Sequence, residues 1–93
     1  MVGIYKVTNP KGRVYVGQSI NILHRFRTYT QLKCKGQVRL FNSFLKYGVI
    51  NHSFDIVEEC LEVNLNIQER YWQDFYDIKD KKGLNCKLTK TSD

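Results

Sequence analysis

Val2-Gly3-Ile4-Tyr5-Lys6-Val7 and Arg13-Val14-Tyr15-Val16-Gly17 are two short runs rich in β-branched and aromatic residues, separated by Thr8-Asn9-Pro10-Lys11-Gly12. The runs have strand composition, and Asn, Pro and Gly between them are turn formers. Together they predict a β-hairpin. On strands, residues of like parity share a face, and pairing across a tight turn sets the two strands' side chains next to each other. Tyr5 and Tyr15 are therefore expected on one face, with both phenols presented together.

Beyond the hairpin, Ile22, Phe26 and Tyr29 recur at helical spacing with Leu23 beside them, and Ser19 or Asn21 can cap the start of this first helix. Lys33 to Gly36 reads as a polar loop. A second helix is predicted over Gln37–Tyr47, with Val38, Phe41, Phe44 and Leu45 as its inward stripe and Gly48 as its stop. Ser53–Cys60 alternates Phe54, Ile56 and Glu58, with Val57 on the other face, and reads as a third strand paired with the hairpin. A third helix is predicted over Asn64–Tyr76, capped by Asn64 or Asn66, with Leu65, Trp72, Phe75 and Tyr76 for burial. Lys79–Gly83 reads as a turn, and Leu84-Asn85-Cys86 brings the chain back to the domain. The order is β-β-α-α-β-α, an α+β domain in which helices flank a small three-stranded antiparallel sheet. No linker divides it. Residues 1–88 are expected to form the domain and 89–93 a frayed tail.

Ninety-three residues can bury one modest core. No apolar run is long enough to cross a membrane, and no secretory signal is seen. Cys34, Cys60 and Cys86 lack C-x-x-C spacing, so they read as reduced thiols in a cytoplasmic protein, with Cys60 in the core. Neither His24 nor His52 forms a zinc-ligand spacing with them.

The net charge is +6, and it is unevenly distributed. No Asp or Glu precedes Asp55, whereas nine Lys or Arg do: Lys6, Lys11, Arg13, Arg25, Arg27, Lys33, Lys35, Arg39 and Lys46. Half of the chain is a source of positive potential with no internal neutralisation, which favours a polyanion and DNA first. Anionic membrane fits less well, because these residues are interleaved with strand and turn signals rather than forming a basic amphipathic helix.

Phosphodiester hydrolysis needs a base for water, positive charge on the phosphoryl oxygens, a group for the leaving oxygen and usually a divalent metal. Arg25, on the first helix, can form paired hydrogen bonds to a phosphate. Tyr29 lies one turn further on the same face. Glu69, on the third helix, supplies a carboxylate, although its spacing from Asn66 also suits a capping box.

The ordered set Gly3-Ile4-Tyr5, Tyr15-Val16-Gly17, Arg25, Tyr29, Glu69 and Asn85 resembles the GIY-YIG nucleases, in particular the phage and homing-endonuclease catalytic domains. Leu40–Gly48 and Phe54–Glu59 resemble their middle region. The resemblance implies that Tyr5, Tyr15, Arg25, Tyr29, Glu69 and Asn85 are the catalytic set. It implies that Glu69 binds the metal, and one carboxylate with water suits Mg²⁺, with Mn²⁺ as substitute. Asn85 would hold Glu69 or the hairpin in place. The implied reaction is a one-metal in-line displacement on DNA that leaves a 5′-phosphate and a 3′-hydroxyl. Tyr5 is the preferred base with Tyr15 assisting, or the reverse. Lys6, Arg13, Gln18, Arg27, Lys33 and Lys35 are expected DNA contacts.

Two departures stand out. Gln18 follows the second motif where repair-type members often carry Lys, and the loop after the first helix reads Lys33-Cys34-Lys35-Gly36 where some homing members carry a functional His. His24 is not expected to stand in for that His, because it is one residue from Arg25 and points about 100° away on a helix. His52, before the third strand, reads as a surface loop residue. Homing-type relatives attach a DNA-targeting module and none is seen here, so the expectation is either a free-standing nuclease domain of weak intrinsic selectivity or a fragment served by a separate targeting domain or partner. The alternatives are a non-catalytic basic DNA-binding domain and an interaction module docking through the acidic C-terminal half.

Overall fold

The computed structural model describes residues 1–78 and 83–91. The turn at Lys79–Gly83 expected from the sequence lies, up to residue 82, outside the described residues.

The hairpin is closed by Asn9. Its Oδ1 accepts from the backbone N–H of Lys11 (3.0 Å) and Arg13 (2.9 Å), while Asn9 N–H donates to Arg13 O (2.9 Å). Pro10 presets one dihedral, and Gly12 takes the left-handed conformation at φ 82°. The turn joins β1 (Gly3–Thr8) to β2 (Val14–Ser19), antiparallel, with Tyr5 opposite Gly17 and Val7 opposite Tyr15. Then come α1 (Ile22–Thr30), α2 (Val38–Tyr47), a 3₁₀ turn at Val49–Asn51, β3 (Ser53–Glu59), a 3₁₀ turn at Glu62–Asn64 and α3 (Leu65–Phe75). β3 pairs with the outer side of β1, so the sheet order is β2-β1-β3, all antiparallel. The expected architecture and element order are found.

Both faces of the sheet are covered. Tyr5 and Val7 face Ile22, Tyr29, Leu40 and Phe44 of α1 and α2. Ile4 and Val16, of opposite parity, face Leu65 and Trp72 of α3. Asn21 caps α1, its Oδ1 accepting from His24 N–H at 3.1 Å.

Several details differ from expectation. The buried face of α2 is Leu40, Ser43 and Phe44, while Val38 and Leu45 are exposed. Ser43 is inside because it is hydrogen-bonded there, by Asn9 Nδ2 (3.2 Å) and with His52 Nε2 (2.8 Å). That same contact buries His52, expected at the surface. In β3, the register against β1 shifts between Ile4 and Tyr5, so Ile4 pairs with Glu58 and Tyr5 with Ile56. The extra residue, Val57, forms a bulge. Glu58 is thereby turned to α3, where it accepts from Trp72 Nε1 at 2.7 Å, and it no longer shares the face of Phe54. On α3, Phe75 is exposed and Leu65 is buried, so the helix presents a narrower apolar face than its composition suggests. Cys60 is half-buried against the α3 cluster, and Cys34, Cys60 and Cys86 are all free thiols.

Candidate active site

The two tyrosines of the hairpin do share one face, with ring centroids 6.2 Å apart. Gly17 makes room for them: a Cβ there would lie 2.5 Å from the Tyr5 hydroxyl and 2.8 Å from Cε1 of Tyr15. The glycine of the second motif is thus required by the close approach of both phenols.

Helix α1 adds two groups to this face. Tyr29, fully buried, places its hydroxyl 2.5 Å from that of Tyr5. Arg25 Nη1 donates to the Tyr5 hydroxyl at 3.4 Å. A further member was not anticipated. Gln37, just before α2, donates from Nε2 to the hydroxyls of Tyr15 (2.5 Å) and Tyr29 (2.9 Å). It follows the Lys33–Gly36 loop, and an isolated Gln carries no motif of its own. It stands at the N-cap of α2, yet its side chain makes no capping bond. Because an amide nitrogen only donates, Tyr15 and Tyr29 accept from it, and Tyr15 keeps its own proton for another partner.

Burial pushes the Tyr5 phenol well above its ordinary pKa, reinforced by Tyr15 and Tyr29, and Arg25 opposes this only weakly. Tyr15 is also raised, by burial first and then by Tyr29, with Glu69 adding to it and the Gln37 bond pulling the other way. Burial alone would lower the Arg25 guanidinium, but the oxygens of Tyr5 and Tyr29 hold it above its ordinary value. The cluster is therefore a cation beside neutral phenols.

Glu69 lies across the edge of β2 from these rings, and Tyr15 and Glu69 line one open pocket of about 250 Å³ with Gln37 and Asn85. Glu69 sits mid-helix on α3, five residues past the Asn64 cap, so it is no capping-box partner. Its Oε1 accepts from Gln18 Nε2 (2.9 Å) and from the Thr89 hydroxyl. Among the described residues no hydrogen bond reaches Oε2, which leaves one oxygen for a ligand. Among the described residues no three His, Cys, Asp or Glu gather into a metal cluster. A metal here would rest on this single carboxylate and water, a donor set that suits Mg²⁺.

Asn85 holds the hairpin. Its Oδ1 accepts from Val16 N–H (2.9 Å) and its Nδ2 donates to Val16 O (2.8 Å). Thr89, placed by the sequence at the start of a frayed tail, is instead tied to α3: its N–H donates to Gln73 Oε1 (2.8 Å) and its carbonyl accepts from Arg70 Nη1 (3.3 Å).

The expected DNA contacts divide. Arg13, Arg27, Lys33 and Lys35 are exposed. Lys6 and Gln18 are half-buried and lie on the other face of the sheet. Both have the parity of Ile4, opposite to that of Tyr5, and face α3. Lys6 Nζ lies 4.8 Å over the Tyr76 ring, and Gln18 is bonded to Glu69 and Asn66. His24 is exposed on α1. Tyr5, Tyr15, Arg25 and Tyr29 are thus gathered with Gln37, and Glu69 and Asn85 share the adjoining pocket.

Residues 1–77 match the family model described as the GIY-YIG catalytic domain. Among solved structures, the chain is similar to the catalytic domain of the homing endonuclease I-TevI, at 26% identity and TM-score 0.80, covering 94% of this chain and 99% of that one. It is also similar in fold to a mutant catalytic domain of the intron endonuclease I-TevI, at 24% identity and TM-score 0.83, covering 98% of each. A search of curated proteins found no match.

Proposed function

The chain belongs to the GIY-YIG catalytic-domain family, a family of nucleases, and from that premise we propose that it is a metal-dependent DNA endonuclease acting by in-line displacement at a phosphodiester. The observation that carries this reading is the shared pocket of Tyr15 and Glu69, with the Arg25 cation behind it on the same phenol cluster.

Arg25 binds the phosphoryl oxygens and offsets the charge that grows there in the transition state. The water oxygen bonds to phosphorus, the bond from phosphorus to the 3′ oxygen breaks, and a 5′-phosphate and 3′-hydroxyl result. Support for the proton path favours Tyr15 over Tyr5. Tyr5 is fully buried, with its hydroxyl between Tyr29 and Arg25, whereas Tyr15 lines the pocket. A neutral phenol is a poor acceptor, but it can relay. Tyr15 takes the water proton on its oxygen and releases its own to solvent, and the 3′ oxygen takes a proton from solvent. Gln37 orients this exchange by occupying one lone pair of Tyr15. Tyr29 and Tyr5 connect Tyr15 to Arg25 and fix its position. Glu69 would hold a divalent cation, Mg²⁺ or Mn²⁺, which supplies charge neutralisation at the leaving 3′ oxygen. Gln18 and Thr89 orient the carboxylate, and Asn85 locks β2 against it. DNA targeting comes from a separate domain or protein, in keeping with relatives that are themselves catalytic domains of an endonuclease.

The test is nicking of supercoiled plasmid with Mg²⁺ and with EDTA, beside Glu69→Gln. Gln keeps an oxygen for Gln18 and Thr89, so the variant folds. Nicking that requires both the metal and Glu69 supports the reading. DNA binding with no nicking under any metal condition overturns it in favour of a non-catalytic basic DNA-binding domain.

A further inference from the structure

A second concavity, of about 510 Å³, opens between the hairpin turn and α2. Lys11 and Arg13 line it from the turn, and Arg39 and Lys46 from the helix. No carboxylate lines it, and the one ion pair among the described residues, Arg70 with Asp74, lies on α3. Four cations held around one concave surface without an internal counter-ion repel each other, an arrangement that an external polyanion relieves.

The frame of this cleft is fixed. Asn9, which closes the turn, donates to Ser43 of α2, and Ser43 is bonded in turn to His52, whose Nδ1 donates to Gly48 O at 2.8 Å. The two cation-bearing elements are thereby locked to one another, so the site is preorganised and little ordering is needed on binding. The cleft also adjoins the active site. Leu84 lines both concavities, and Arg39 Nη1 donates to Asn85 O at 2.9 Å, the residue that clamps β2 beside Glu69.

We propose that this cleft of Lys11, Arg13, Arg39 and Lys46 is a second phosphate-binding site, which grips the DNA backbone flanking the phosphate held in the active site. The proposal rests on the nuclease reading for the identity of the polyanion. It assigns Lys11, Arg39 and Lys46 to the DNA face, removes Lys6 from it, and makes the turn and α2 the elements that set the direction of the strand. Contacts of this kind position the protein on DNA without reading sequence.

The test is equilibrium binding of a short duplex oligonucleotide, in EDTA, over a range of salt concentrations. Each phosphate neutralised contributes roughly 0.9 to the slope of log K against log salt. The Lys11→Ala/Lys46→Ala protein, changed only at exposed side chains, is expected to lose about 1.8 from that slope on any duplex sequence. Lys6→Ala, on the α3 side of the sheet, should keep the parent slope. A double variant with the parent slope overturns the proposal. So does a Lys6→Ala protein that loses as much per charge, since binding would then follow net charge and not the cleft. The two readings fail separately. Parent protein that binds with the expected slopes but never nicks plasmid sinks the nuclease and leaves the cleft, and nicking with an unchanged double-variant slope does the opposite.

Discussion

Asn85 and Val16, 69 residues apart in sequence, are joined by two hydrogen bonds, so that a side-chain amide stands where a fourth strand would pair. β2 is an edge strand, and its unpaired N–H and C=O at Val16 are buried. The amide satisfies both at the point where the strand passes Glu69. Asn85→Ala leaves the Val16 N–H without a partner and its carbonyl with only the 3.4 Å bond from Gln73 Nε2, and should cost about 1–3 kcal/mol in urea unfolding. Asn85→Asp should fare no better, because a carboxylate oxygen then faces the Val16 carbonyl in place of a donor. An Asp variant with parent stability would mean that the donor half of the pair contributes nothing.

Gln37 is predicted to matter for rate and little for folding. Its side chain does not cap α2, so Gln37→Met leaves the helix start as it is. The substitution removes both donated bonds and frees Tyr15 to turn away from the pocket. Positioned proton-transfer groups contribute roughly 10²–10⁴-fold, and losing part of that orientation should slow nicking by about tenfold or more. Single-turnover nicking by a correctly folded Gln37→Met protein, judged by its melting temperature, checks this. An unchanged rate removes Gln37 from the site.

Much of this was legible in the sequence. The paired motifs gave the hairpin, and the resemblance named Arg25 and Tyr29 with the two tyrosines that the structure gathers on one face. What stayed hidden has physical causes. The bulge at Val57 inserts one residue and so reverses the parity that alternation relies on, sending Glu58 to α3. The buried side of α2 was misjudged because a serine was discounted, and only the Asn9 and His52 contacts show why it is inside. Gln37 has a role through two bonds to distant strand and helix residues, which no local pattern announces. Lys6 is different: its parity on β1 was readable as opposite to that of Tyr5, and the structure puts α3 on that face.

Gly17 tests whether the phenol pair needs its close packing. Gly17→Ala adds a Cβ 2.5 Å from the Tyr5 hydroxyl, which is pinned by Tyr29 and Arg25 and cannot retreat. The expected cost is roughly 1–3 kcal/mol of overpacking. Nicking should fall further than stability accounts for, because Tyr15 is displaced as well. Parent-like stability and rate together would show that the rings yield easily and that the glycine serves only the strand.

The raised phenols give the fold an alkaline limit. An unfolded tyrosine loses its proton near pH 10, whereas Tyr5 in the folded protein holds it to well above that. Above the unfolded value the native state binds more protons than the unfolded one, so stability falls as pH rises. The contribution is fully present below about pH 10 and is lost on the way up to the folded value. Tyr5→Phe removes it and leaves Tyr29 bonded to Gln37, so the variant folds. Urea midpoints for both proteins at pH 8 and at roughly pH 11, on the alkaline side of the unfolded phenol, check the sign. The gap between parent and variant should shift in favour of the Phe protein at the higher pH. A gap independent of pH would mean that Tyr5 ionises in the native state as readily as in the unfolded chain, and would reopen it as the base.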